Sequence, residues 1–319
     1  MRIEDLALLV ALTEVDGIGD KRALELYREF ETKTEFESSS RSDFDQFHYV
    51  DNDTHQQLQE LGAVIDEYRE RFERYQSEGT AVIGIDDERY PASLRHHHAP
   101  LVLYTKGNLS RLDDRLVSVS GSRETNEDGR GWIREVAGEM AAEDYTIVSG
   151  GAAGTDTAAH KGALEETGST IVVLPTGVNN TYPEENTELF AEIVDAGGLL
   201  LSHRPPEEGP TRHAFLDRNK TISALSPGTV IVATDGSGGT MAQYKTAIKQ
   251  GRQVFVPDSS LGIEPSGGVE EIRSDGSTAV VSTSFELMDR LQCLPPLEHG
   301  NQLTGESDDD GQMSLDDWG

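Results

Sequence analysis

Cysteine, lysine and aromatic residues are all scarce in this sequence, and each shortage closes off a class of protein. The single cysteine, Cys293, excludes an intramolecular disulfide framework and any multi-cysteine zinc site. No apolar run approaches the length of a membrane span. The opening stretch MRIEDLALLVALTEV also carries acids inside its apolar run, unlike a secretion signal. A cytoplasmic chain with no membrane partner is expected. Basic residues are outnumbered: 27 Lys and Arg face 58 Asp and Glu, a formal net charge of −31. Taken alone, that balance argues against a nucleic-acid partner, because phosphate binding draws on a basic footprint. The acids are spread along the chain, however, and the hydrophobic fraction is only 35%. Such a haloarchaeal-like composition suits a salt-rich cytoplasm, where carboxylates keep the surface hydrated and salt screens their repulsion. Local charge is then a better guide to the ligand than global charge.

A chain of 319 residues is long enough for two or three units. Residues 1–75 read as a helical N-terminal domain, with Ala23, Leu24, Leu26, Tyr27 and Phe30 at helical spacing. Within it, Asp16-Gly17-Ile18-Gly19 between two helices matches a helix-hairpin-helix (SAM-like) turn, whose glycines can turn backbone N–H groups toward a phosphate. A plain packing turn fits the same residues, since Asp16 and Asp20 do not attract anions. Residues 80–294 form the second domain, with a core at 115–257. His96, His97 and His98 precede that core and read as a solvated loop, with no spacing that brings them to one metal. Residues 295–319 form an acidic tail too poor in apolar residues to fold alone.

Within the core, apolar runs at 116–120, 145–149, 170–174, 198–202, 229–233 and 253–257 alternate mostly with helical segments. Continuous β-branched runs between helices indicate strands buried on both faces, hence an α/β, doubly wound, mainly parallel sheet. Such a sheet binds its ligand outside the carboxyl ends of its strands. The turns expected there carry the chemistry. Gly121-Ser122-Arg123 follows the first strand. Gly150, Gly151 and Gly154 follow the second and allow close backbone approach, with Thr155 or Asp156 as the N-cap of a helix that can hold a phosphate. Gly177 and Asn179 follow the third, and Asn186 caps the next helix. The fourth turn is the most basic stretch, with Arg204, Arg212, Arg218 and Lys220; a salt-bridge network with Glu207, Glu208 and Asp217 is the competing reading. Gly238, Gly239 and Thr240 open a helix in the fifth. These glycines do not make the dinucleotide fingerprint, and no acidic residue closes the next strand to read a ribose hydroxyl, so no cofactor is expected.

In this order the blocks GSR, SGGAAGTDTAAHKGAL, TIVVLPTGVNNTYPEEN, GGLLLSHRPP, FLDRNKTISALS and GGTMAQYKTAIKQGRQVFVP resemble the DNA-processing protein A (DprA/Smf) family, over about residues 4–257. The resemblance implies a Rossmann-like domain that binds and protects single-stranded DNA. It also implies delivery of that DNA to a RecA-type recombinase, a homodimer formed through that domain, and no enzymatic activity. Carried over by position, the phosphate-binding set is Gly121, Ser122, Arg123, Gly150, Gly151, Gly154, Thr155, Gly177, Arg204, Arg218, Asn219, Lys220, Gly238, Gly239 and Thr240. Three departures stand out. The family's R-N-R reads Arg218-Asn219-Lys220, its S-E-x-P reads Ser202-His203-Arg204-Pro205, and its closing proline-glycine reads Pro257-Asp258, with no winged helix expected beyond.

Gln312, Leu315 and Trp318 have the Q-x-x-L-x-x-aromatic spacing of a peptide that docks on a sliding clamp. An inert tail fits those residues equally. Two further readings share the pocket: a nucleotide sensor, and a nucleoside-monophosphate hydrolase acting at an N-glycosidic bond. The hydrolase needs a glutamate where this chain has Gln243, and an amide cannot take up a proton. For a DNA ligand, contacts mainly to phosphates and little sequence preference are expected, with Tyr182 and Phe215 the candidates to stack a base.

Overall fold

Leucines and aromatics at helical spacing in the first ninety residues become five helices packed on one another. The computed structural model describes residues 1–97, 99–295 and 297, and they fall into two compact units, 1–90 with 100–104, and 91–99 with the chain from 105 onward. The first unit holds helices α1 (Ile3–Ala11), α2 (Asp20–Phe30), α3 (Lys33–Ser38), α4 (Asn52–Gln59) and α5 (Gly62–Ser77), then strand β1 (Ala81–Gly84). The predicted stripe of α2, Ala23 to Phe30, is buried. Phe30, Phe36, Phe44 and His55 form an aromatic cluster beside it.

The unit boundary lies nearer residue 90 than the expected 80. Gly84 of β1 packs against Met1 and Leu6, and the N-terminal ammonium meets Asp87 at 3.3 Å. Two guanidinium bonds from Arg89, at 2.9 and 2.8 Å, hold the Asp87 carboxyl well below the usual carboxylate range. In the candidate phosphate turn of this unit, Arg22 donates to the Gly17 carbonyl at 2.6 Å.

The second unit begins with the one-turn helix α6 (Leu94–His97), which places His96 and His97 in a helix instead of the expected loop; His98 lies outside the described residues. Strand β2 (Val102–Gly107) comes next in the chain, its residues 102–104 belonging to the first unit and 105–107 to the second. The chain then alternates through β3 (Arg115–Ser120), α7 (Glu127–Ala142), β4 (Tyr145–Ser149), α8 (Thr155–Glu166), β5 (Thr170–Val173), α9 (Thr187–Asp195) and β6 (Leu199–Ser202). It continues through α10 (Arg212–Ala224), β7 (Gly228–Ile231), α11 (Gly238–Lys249), β8 (Gln253–Pro257), α12 (Gly267–Ser274), β9 (Thr278–Val281) and α13 (Ser284–Gln292).

Seven of these strands run parallel in the order β6-β5-β4-β3-β7-β8-β9. Their side chains alternate between two buried faces. Val230, Val232 and Phe255 pack with α7, α8 and α13, while Ile231, Val254 and Val256 pack with α11 and α12. This two-sided burial is why the strands read as unbroken apolar runs. The chain builds outward from β3 through β4, β5 and β6, then returns to the other side of β3 for β7. Strand order therefore reverses between β3 and β7, and the turns leaving those two strands diverge to leave a crevice.

Candidate functional site

The crevice is an open groove of about 560 Å³ at the carboxyl ends of β3 and β7, within the size range of ligand sites. Its walls are the turn Gly121–Glu124 after β3, Thr234–Thr240 after β7, and one face of α10. Backbone bonds fix the two turns to each other: Ser122 N–H donates to the Ala233 carbonyl at 2.8 Å, and Val232 N–H to the Ser120 carbonyl at 2.9 Å. Gly238, Gly239 and Thr240 open α11 and line the groove. Asn219 donates to the Gly239 carbonyl at 3.3 Å, joining α10 to that helix start.

The glycine turn after β4 is built differently from the expectation. Gly154, not Thr155 or Asp156, is the N-cap of α8, and it has φ +76°. A Cβ there would lie 2.3 Å from the Arg123 carbonyl, so both conformation and space demand glycine. Thr155 turns away from its helix end, bonding to the Thr125 hydroxyl at 2.5 Å and the Ser122 carbonyl at 3.1 Å. Asn186 is the N-cap residue of α9, as expected, but makes no side-chain capping bond; its amide donates to the Gly151 carbonyl and the Thr157 hydroxyl, both at 2.8 Å, which braces the turn.

Asp156 is buried under this turn and accepts from Ala152 N–H at 3.2 Å. It faces Arg218, also buried, which runs so close to the main chain that a Cβ on Gly150 would sit 1.3 Å from Nη1. Burial pushes the Asp156 carboxyl up and the Arg218 guanidinium down, and their mutual attraction opposes both shifts. Attraction does not fully compensate the guanidinium: Nε and Nη1 of Arg218 have no hydrogen-bond acceptor among the described residues. One turn after Asp156, His160 bonds Thr170 at 2.7 Å through Nδ1. Burial, and then the charge of Arg218, lower its pKa to about 3. Arg123, by contrast, is exposed at the groove edge and makes no ion pair with a described residue.

The rest of the predicted basic cluster divides. Arg204 pairs with Glu208, and Lys220 with Asp217 at 3.4 Å, so these two cations follow the salt-bridge reading. Arg212 is exposed on the first turn of α10. Gly177 packs on residues 205–208 through its N–H to the Glu208 carbonyl at 2.8 Å and lines neither cavity. Glu124 and Asp235, which no sequence motif marks as site residues, line the groove together with Asp156, expected there only as a candidate N-cap. Only the i, i+4 spacing of Asp156 and His160 hinted at a shared buried face. Gln312, Leu315 and Trp318 lie outside the described residues.

Beside the groove and sharing Arg123, Ala152, Phe215 and Arg218 with it is a smaller slot of about 160 Å³. Tyr182 and Phe215 stand edge to face there, with ring centres 5.7 Å apart. Gln243 is 1% exposed on α11, and neither of its amide atoms has a partner among the described residues.

Strand order and groove together define a doubly wound, Rossmann-like protein with a glycine-lined crevice at its topological switch point. The chain belongs to the DNA recombination-mediator protein A family, whose model matches residues 81–292. It is 32% identical over 210 residues to the DNA processing protein DprA of Bacillus subtilis, covering 65% of this chain and 70% of that one. To the Smf protein of Escherichia coli it is 33% identical over 212 residues, covering 66% of this chain but 56% of that one. Among solved structures it resembles Streptococcus pneumoniae DprA with TM-score 0.69 and 26% identity, covering 91% of this chain and 98% of that one. Helicobacter pylori DNA processing protein A, whose structure addresses single-stranded DNA binding, matches with TM-score 0.59 and 26% identity over 67% of this chain and 95% of that one.

Proposed function

We propose that this chain binds single-stranded DNA by its phosphates in the switch-point groove and passes it to a RecA-type recombinase, acting as a non-catalytic homodimer in a salt-rich cytoplasm. The observation that carries the reading is the pairing of an exposed Arg123, which makes no ion pair with a described residue, with a buried Arg218 whose Nε and Nη1 lack acceptors among the described residues, in one glycine-lined groove. A phosphate oxygen supplies the acceptors that a buried guanidinium lacks, and arginine can grip it through two parallel bonds. Two turns whose backbones approach the ligand closely add N–H donors that need no net positive charge.

The recombinase step is supported by the family's recombination-mediator role, and the homodimer by the resemblance to that family. The spacing of Gln312, Leu315 and Trp318 supports an additional contact with a sliding clamp. A non-catalytic role is supported by Gln243: it is an amide, it is buried, and it does not line the groove. The test is an anisotropy titration at high potassium with single-stranded oligonucleotide, duplex and mononucleotide. The single strand should bind at least tenfold tighter than the other two, and adenosine monophosphate should release no base. Equal binding of all three ligands would refute the reading.

A further inference from the structure

We infer that Asp156 limits how tightly the groove holds DNA, as a resident anion that an incoming phosphate must oppose; this rests on the single-stranded DNA reading above. Three carboxylates line the groove, those of Glu124, Asp156 and Asp235. Glu124 and Asp235 are exposed, where water and salt screen their charge. Asp156 is 6% exposed beneath the glycine turn after β4, so its charge is the least screened of the three.

The carboxylate is placed to oppose a phosphate without blocking it. Asp156 stands two residues after the Gly154 N-cap of α8 and turns back to accept from Ala152 N–H at 3.2 Å. It thereby takes a donor that an anion bound at this helix start would use. Its attraction compensates the buried guanidinium of Arg218 through space, while Nε and Nη1 of that guanidinium keep no acceptor among the described residues. Arg218 itself is seated by packing over Gly150. A phosphate reaching Arg218 therefore finds open donors but a charge that is already matched, and the buried carboxylate repels it. A grip limited in this way suits a chain that passes its DNA on.

Removing that charge sets stability against affinity. Asp156→Asn keeps a carbonyl oxygen for Ala152 N–H and loses only the negative charge. The free variant then holds a buried, uncompensated guanidinium and is less stable. A bound phosphate becomes the counter-ion of Arg218, so the variant holds DNA more tightly. A residue that merely shaped the turn would weaken both together.

The test combines anisotropy with oligo-dT at neutral pH and high potassium with thermal melts of the full chain, free and saturated with oligo-dT. Asp156→Asn should bind oligo-dT about fivefold or more tighter than wild type. It should melt lower than wild type when free, and gain more in midpoint from oligo-dT, because a tighter ligand stabilises more by mass action. A variant that does not melt cooperatively alone should regain a cooperative melt with saturating oligo-dT. Affinity equal to or below that of wild type, a free variant that melts no lower, or an unfolded variant that oligo-dT does not restore overturns the inference and leaves the DNA reading standing. Failure of wild type to bind oligo-dT would bring down both readings.

Discussion

Two arginines in one groove have opposite surroundings, so their substitutions should act differently. Arg123 is exposed and unpaired, so its substitution should cost affinity and leave the fold alone. For Arg123→Ala we expect about a tenfold loss for single-stranded DNA, with the thermal midpoint unchanged in a parallel melt. Arg218 is buried and attracts the buried Asp156 carboxyl, and removing one of two interacting buried charges leaves the other uncompensated. Arg218→Ala should therefore lower stability by about 3 kcal/mol or more in denaturant titrations, besides weakening binding. Gly150→Ala separates position from charge. Its methyl would collide with Nη1 of Arg218, so it should reduce DNA affinity by displacing a guanidinium that is still present. An alanine at 150 that bound DNA normally would show that this guanidinium's position is immaterial.

At the level of elements, α8 links the site to folding. His160 on its buried face is held neutral, with a pKa near 3. A histidine depressed in the folded state contributes stability that is present above its unfolded pKa of about 6.5 and lost as pH falls through the folded value. Wild type should thus lose more stability than His160→Gln between about pH 6.5 and 3, measured as the difference between their chemical-denaturation curves. Parallel curves for the two proteins would contradict the assignment.

These elements were legible in unequal degree. The strands announced themselves because burial on both faces leaves Ile, Val and Leu unbroken, as in residues 171–173 and 199–201. The glycine turns were legible for a similar reason, since Gly154 at φ +76° tolerates little else. The cap at Gly154 was not, because Thr155 and Asp156 are both good capping residues and only tertiary partners drew them away. Nor could the four cations between Arg204 and Lys220 be sorted, since a count of basic residues does not reveal that Glu208 and Asp217 neutralise two of them. The boundary after β1 depended on Met1 and Leu6 reaching Gly84, a contact more than seventy residues apart in sequence.

For the molecule as a whole, the difficulty is charge. A chain with net −31 repels a polyanion, and counterion release weakens binding further as salt rises. Both effects are limited when few cations make the contact and neutral N–H donors make the rest. With Arg123 and Arg218 as the two phosphate contacts, the logarithm of affinity for single-stranded DNA should fall with the logarithm of salt with a slope of only about −1.4. Binding would then survive potassium concentrations that strip an ordinary basic DNA-binding protein.

The most direct measurement is that slope, taken by anisotropy across a series of potassium concentrations for wild type and Arg123→Ala with one single-stranded oligonucleotide. The shallow wild-type slope should become shallower by about 0.7 in the variant, along with its loss of affinity. Identical affinity and slope in the two proteins would contradict a phosphate-binding groove at the switch point.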